Sequence, residues 1–126
     1  MASVLRPPAS GKLGERITLQ RNTPTINSRG AEEMAWANLA TAPTVWALVQ
    51  GASGGEQIQD NRDLRVARHR ITIRWRTDLT TDDRVIWHAS GGDRTLAIDD
   101  INDPFDPPRV CLQLACYEVI GEAKIG

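Results

Sequence analysis

The longest strictly alternating stretch of the sequence, Val66 to Arg76, constrains the fold more than any other feature. Its odd positions are Ala67, His69, Ile71, Ile73 and Trp75. Arginine or threonine fills every even position from 68 to 76. A period of two is typical of a strand with one buried face, so we predict a strand with this odd-numbered side in the core.

Five further segments have the alternation or the apolar run of a strand: 16–21, 44–50, 84–89, 95–99 and 110–120. Turn-forming Gly, Pro, Asn and Asp separate them, and 51–63 is predicted to be a long polar loop. Residues 31–40 form either two helical turns or an irregular segment anchored by Trp36. The sequence therefore predicts an all-β chain: a small antiparallel β-barrel or sandwich of about six strands, with long loops and at most one short helix.

The length of 126 residues fits one domain, residues 1–126, with an extended N-terminal arm (1–12) and a short C-terminal tail (119–126). No apolar run reaches the ~18 residues of a membrane helix, and no signal peptide is visible, so we expect no membrane and a cytosol-like compartment. Cys111 and Cys116 lie about 16 Å apart if both are on one strand, too far for a disulfide, which predicts free thiols.

Candidate catalytic groups are few. The chain has two histidines, and His69 lies on the apolar side of its strand, where a structural role is more common than a catalytic one. Asp99 and Asp100 would point to opposite faces of a strand, which excludes a carboxylate pair that shares a proton. No CxxC or HxxxH spacing indicates zinc, and the glycines of 51–55 lack the Lys-Ser/Thr of a phosphate loop. We therefore expect no enzyme, no metal and no cofactor.

The other side of the alternating strand carries Arg68, Arg70, Arg74 and Arg76. Three interpretations remain open: ion pairs within the chain to Asp93, Asp99 or Glu118, contact with an acidic surface on a neighbouring subunit, and contact with DNA phosphates. The formal net charge of −1 disfavours DNA, because nucleic-acid-binding proteins usually carry excess positive charge.

Four tryptophans are a second unusual feature. Trp46 and Trp87 lie in apolar runs and Trp75 is on the apolar side of its strand, so these three are predicted to be core residues. Trp36 lies outside any clear strand and is the tryptophan that we assign to an interface. Arginine and tryptophan together on a small barrel leave one alternative function, an OB-like module that binds single-stranded nucleic acid.

The segment from Gly11 to Arg21, Gly-Lys-Leu-Gly-Glu-Arg-Ile-Thr-Leu-Gln-Arg, is the first of several motifs that occur in a fixed order. The others are Gly30, Trp36, Val45-Trp46-Ala47, Gly54-Gly55-Glu56, the strand 69–76 and the segment 112–118. The ordered set resembles the head–tail joining (head-closure, or stopper) proteins of long-tailed phages. The chain departs from that pattern in two places. It has Leu96 where the family commonly has an aromatic residue, and its stretch 99–109 is long and rich in proline.

The resemblance implies a structural protein of the virion neck, made in the bacterial host cytoplasm. It implies a homo-oligomeric ring between the portal-side head–tail adaptor and the tail terminator or completion protein. This ring closes the DNA-filled capsid, contacts packaged DNA non-specifically near its lumen, and docks the tail. The predicted subunit or partner interface comprises Trp36, Arg68, Arg70, Arg74 and Arg76. The predicted lumen or plug loop comprises Gly51, Gly54, Gly55, Glu56, Asp60 and Arg62.

Overall fold

The computed structural model describes residues 5–52, 55–59 and 62–122. The described chain is mostly strand, with one 3₁₀ turn at Ser10–Lys12. Its strands are β1 (Glu15–Asn22), β2 (Thr25–Ile26), β3 (Glu32–Glu33), β4 (Trp36–Asn38), β5 (Thr44–Gly51), β6 (Gly55–Gln59), β7 (Arg62–Arg74), β8 (Asp83–Ala89), β9 (Gly92–Asn102) and β10 (Cys111–Glu122).

Six of these strands form a closed antiparallel barrel in the order β10–β9–β8–β1–β5–β7. Pairing of β10 with β7, from Cys111–Arg74 to Glu122–Leu64, closes the barrel. Closure leaves each of the six strands with a neighbour on both sides, so their backbone groups are paired without exposed sheet edges over most of the barrel. The prediction of a small all-β barrel with about six strands is confirmed.

The core fills the inside of this barrel with the alternating apolar residues of its strands. The buried cluster consists of Ile17, Leu19, Leu39, Ala47, Ile71, Ile73, Val85, Leu96, Ile98, Leu112, Leu114 and Cys116. The predicted inward positions Ile71 and Ile73 are therefore buried. Trp75, which was predicted to join them, is 39% exposed because β7 ends at Arg74 and residue 75 lies at the rim of the barrel.

Residues 31–40 contain no helix. Their strands are the two-residue β3 and the three-residue β4, and β4 pairs with the end of β1 through Gln20–Asn38 and Asn22–Trp36. Pairing with β1 supplies hydrogen bonds that a short isolated helix could not match, so tertiary context overrides helix propensity here. The helical alternative for this segment is wrong.

The predicted polar loop at 51–63 is largely strand. Gly51 ends β5, and β6 then pairs with the start of β7 from Gly55–Val66 to Gln59–Arg62. β10 continues alongside as far as Glu122, so the predicted C-terminal tail begins as strand. We call these paired segments of β6, β7 and β10 the β6–β7 extension. Gly54 and Asp60 lie outside the described residues.

A second hairpin, which we call the β2–β3 hairpin (residues 25–34), forms a separate two-stranded sheet. The side-chain Oδ1 of Asn27 accepts hydrogen bonds from the backbone N–H groups of Arg29 and Ala31, at 2.9 and 3.0 Å. Gly30 adopts φ +80°, a left-handed conformation that glycine allows at this turn. Ile26 and Met34 of this hairpin are 74% and 71% exposed.

Candidate partner-binding surface

A groove opens where β5 and β7 separate. Their ladder ends at Ala47–Ile73, although β5 continues back to Thr44 and β7 continues to Arg74. The space between them has a volume of about 660 Å³ and is walled by Trp46 and Trp75. A second depression of about 510 Å³ beside the 3₁₀ turn shares Trp46 and Arg74 with the first. We call the two together the Trp46 groove.

The charge at the mouth of the Trp46 groove is positive. The Arg16 guanidinium lies over the Trp46 ring, 4.5 Å from its centroid. Arg74 is exposed and forms no ion pair within the described part of the chain. Two guanidinium groups beside two partly exposed indole rings are the residue types that are enriched at protein–protein interfaces.

Arg76, at the far end of the groove, has a structural role. It donates to both carboxylate oxygens of Asp78, at 2.6 and 2.7 Å, and to the carbonyl oxygens of Ala42 and Thr41, at 2.9 and 2.8 Å. Ala42 has φ +42°, which is strained for a residue with a Cβ atom. Arg76 therefore fixes the loop that leads into β5 and so sets the end of the groove.

The other arginines predicted for the interface, Arg68 and Arg70, do not line the groove. Arg68 approaches Asp99 at 3.8 Å, a weak contact between two partly exposed groups. The remaining candidate acids have other partners, since Asp93 binds His88 and Glu118 binds Arg94. Arg70 is exposed on the same strand. The four arginines of the alternating strand are thus divided between intramolecular contacts (Arg68 and Arg76) and exposed positions (Arg70 and Arg74).

Arginine covers a face of three tryptophans. Trp36 lies under Arg84 at 4.2 Å, Trp46 under Arg16 at 4.5 Å and Trp87 under Arg94 at 4.9 Å. Trp87 packs against the core, but Trp46 is 52% exposed, so its predicted core position is wrong. The cause is the register: Arg16 and Trp46 are directly opposed on β1 and β5, a pair that was not visible without knowing which strands are neighbours.

A β-bulge in β9 changes the predicted orientation of Asp99 and Asp100, which were expected to point to opposite faces of a regular strand. Asp100 pairs with Ala115 and Ile98 pairs with Cys116, which leaves Asp99 as an extra residue. Both aspartates are exposed. The parity argument used against a shared proton therefore does not hold, but Asp99 contacts Arg68 and Asp100 accepts a hydrogen bond from Asn102.

One chain of polar side chains crosses four neighbouring strands, from Thr44 to Thr18, His88 and Asp93. Thr18 Oγ1 lies 2.9 Å from Thr44 Oγ1 and 2.7 Å from His88 Nε2, and His88 Nδ1 lies 2.8 Å from Asp93 Oδ1. The order hydroxyl–imidazole–carboxylate resembles a hydrolase triad. Thr18, however, is in the middle of β1 and only 7% exposed, and of the four only Thr44 lines the groove. This chain links β5, β1, β8 and β9.

A second polar cluster lies near the inside of the barrel. Arg94 donates from Nε to the Glu118 carboxylate at 3.1 and 3.2 Å, and the His69 ring meets Trp87 edge-on at 5.6 Å. Burial lowers the pKa of His69, and the nearby Arg94 guanidinium lowers it further, so this ring is neutral at pH 7. The hydrogen bond from Arg94 holds the pKa of Glu118 below its usual value.

Replacing Glu118 with glutamine is expected to lower the free energy of unfolding by about 1 kcal/mol at pH 7, since Arg94 is only partly buried. Because folding lowers the pKa of Glu118, its contribution is complete above the unfolded value near 4.5 and is lost as pH falls through the lower folded value. The difference between wild type and E118Q should therefore shrink below pH 4.5 in denaturant titrations. A difference that stayed constant down to pH 3 would contradict this assignment.

Cys111 and Cys116 are both free and buried, on one strand as predicted. Burial raises the pKa of Cys116 to about 12, so its thiol is un-ionised at neutral pH. Within the described residues, no group of three His, Cys, Asp or Glu side chains is arranged to bind a metal ion. The described part of the chain also contains no helix that could serve as a membrane span.

Comparison with solved structures places this barrel among known folds. A chain in the structure of the virion of a native gene transfer agent particle superposes with a TM-score of 0.61 at 16% identity, over 84% of this chain and 94% of that one. A Shigella flexneri 2a protein solved in solution superposes with a TM-score of 0.62 at 26% identity, over 88% of this chain and 96% of that one. No curated protein matches the sequence at a significant level.

The sequence itself matches one protein family over almost its full length. The match runs from residue 8 to residue 119 and so covers the whole barrel and the Trp46 groove, together with most of the β6–β7 extension. The family is described as phage head completion protein. On this match, the chain belongs to the phage head completion protein family.

Proposed function

We propose that this protein is a ring-forming subunit of a virion neck, placed between the portal-side adaptor and the tail, where it closes the DNA-filled head and docks the tail. Membership of the head completion family supports a structural role between head and tail. The observation that carries the ring is the Trp46 groove. It presents Trp46 at 52% exposure and Trp75 at 39% beside Arg74, which has no ion pair among the described residues, a surface suited to being covered by another chain.

A closed ring needs a heterologous interface, in which two different patches of one subunit meet. The Trp46 groove supplies one basic and aromatic patch, while acidic side chains lie elsewhere, on the β2–β3 hairpin. Trp36 and Arg70 remain assigned to the interface as part of this proposal, whereas Arg76 acts by holding the groove in shape.

The β6–β7 extension is the element that we assign to the lumen. β6 pairs with β7 alone within the described ranges, so this hairpin continues the sheet beyond the six barrel strands. Gly55, Glu56 and Arg62 belong to it by position, and Gly51 ends β5 just before it. Non-specific contact with packaged DNA belongs to this same part of the proposal.

Native mass spectrometry and negative-stain microscopy of the purified protein, alone and with its cognate adaptor, test the ring. We expect closed oligomers of one size, and particles that lack the protein should contain little DNA and carry no tail. A protein that stays monomeric at high concentration, with and without adaptor, would overturn the proposal. Tight, steeply salt-dependent binding of an oligonucleotide by that monomer would instead favour the nucleic-acid module.

A further inference from the structure

We propose that the Trp46 groove of one copy receives the β2–β3 hairpin of the next copy, so that Ile26 and Met34 pack against Trp46 and Trp75 while Glu32, which pairs with Ile26 in the hairpin, meets Arg16 and Arg74. This inference rests on the proposed ring and names the two surfaces that close it. It commits to a second copy of this chain as the occupant of the groove.

The side chains of the hairpin complement those of the groove in charge and in apolar character. It carries Glu32 and Glu33 on one strand, and its two large apolar side chains, Ile26 and Met34, are among the most exposed in the described chain. A flexible methionine packs well against aromatic rings, and a carboxylate pairs well with a guanidinium group that has no other partner. Both kinds of contact are therefore available between one hairpin and one groove.

The turn of the hairpin is pre-organised by side-chain hydrogen bonds. Asn27 holds its turn through two hydrogen bonds from backbone N–H groups, and its Nδ2 donates to Glu33 at 2.9 Å. Pre-organisation of this kind reduces the conformational entropy that is lost on binding. Within the described residues, Ile26 and Met34 of this hairpin stay largely exposed, which suits them to packing against a partner.

Geometry places the two surfaces at the same end of the barrel. The hairpin follows the end of β1, and near that end the Nη2 of Arg21 donates to the carbonyl oxygen of Asp78 at 2.6 Å, while Asp78 lines the groove. Copies related by rotation about an axis parallel to the barrel therefore hold hairpin and groove at one level. The hairpin does not occupy its own groove, as the exposure of Ile26 and Met34 demonstrates.

A cross-linking experiment tests the contact directly. In the double variant M34C/T77C, one new thiol is on the hairpin and the other is at the exposed groove residue Thr77. A short bismaleimide should convert the oligomer into a covalent ladder, while the buried native cysteines stay unreactive. The matched control M34C/S90C puts the second thiol on the exposed β8–β9 turn, at the other end of the barrel, and should give no ladder.

A charge exchange gives an independent readout. E32R and R74E should each weaken self-association about tenfold or more in sedimentation equilibrium, because each brings like charges together. The double variant E32R/R74E should recover most of the loss. D100R makes the same charge change at an exposed residue of β9 and should leave association unchanged.

The results separate this inference from the proposed function. Closed rings in wild type, together with no M34C/T77C ladder and no effect of E32R, would overturn the hairpin–groove contact and leave the ring intact. Absence of any ring from wild type, with or without adaptor, would overturn both. A covalent ladder from M34C/T77C, together with recovery of association in E32R/R74E, would support both the hairpin–groove contact and the ring.

Discussion

Replacing Leu114 with alanine is expected to destabilise the protein by about 3 kcal/mol, since truncating a fully buried leucine loses apolar burial and leaves a cavity. Leu114 is 0% exposed, and on β10 it pairs with Ile71 of β7 and Ile101 of β9. It therefore packs at the seam that closes the barrel. Urea denaturation should give a lower midpoint with an unchanged slope.

The matched control for this truncation is I26A. Ile26 is 74% exposed on the β2–β3 hairpin, so its truncation should change the stability of the isolated subunit by less than about 0.5 kcal/mol. If L114A cost no more than I26A, the inward face of β10 would be assigned to the wrong residues. I26A should still weaken self-association, which separates folding from assembly.

Replacing Asp83 with alanine is expected to lower the free energy of unfolding by about 2 kcal/mol, because it removes a buried carboxylate that accepts three hydrogen bonds. The Asp83 carboxylate is 0% exposed and accepts two hydrogen bonds from Arg21, at 2.8 and 2.9 Å, and one from the backbone N–H of Thr80 at 2.9 Å. These contacts raise the pKa of Arg21. The variant leaves the N–H group of Thr80 without its acceptor and frees the Arg21 side chain that ties β1 to the 78–83 turn.

Thermal and urea unfolding of D83A beside D82A checks this expectation. Asp82 is the adjacent, exposed aspartate, and its removal should change the free energy of unfolding by less than about 0.5 kcal/mol. Equal stabilities for D83A and D82A would mean that the Arg21–Asp83 pair contributes no net stability, as some ion pairs do not.

Alternation predicted the barrel strands well because it reports burial on one face. It placed Ile71 and Ile73 inside, and both are buried. It failed where a strand leaves the ladder, since Trp75 keeps inward parity but is 39% exposed at the rim. The end of a ladder depends on where neighbouring strands diverge, which no local pattern contains.

The candidate surface was less predictable than the fold. Arginine on β7 was visible from the sequence, but its separation into structural Arg76 and exposed Arg74 depends on carbonyl groups of Thr41 and Ala42. The hairpin at 25–34 was assigned to a loop and a doubtful helix because its strands are only two residues long. A signal that could have revealed it is Asn27 followed by Gly30, since both residues favour tight turns.

The barrel strands have many backbone hydrogen bonds and the β2–β3 hairpin has few, so the two respond differently to thermal motion. β7 is hydrogen bonded to β10 along one edge and to β5 and β6 along the other, so most of its amide hydrogens exchange with solvent only when the whole barrel opens. The two-residue strands of the β2–β3 hairpin open by local fluctuation at much lower free energy. In the proposed ring, such an adjustable contact element on a stiff body would tolerate small changes in the tilt between neighbouring copies.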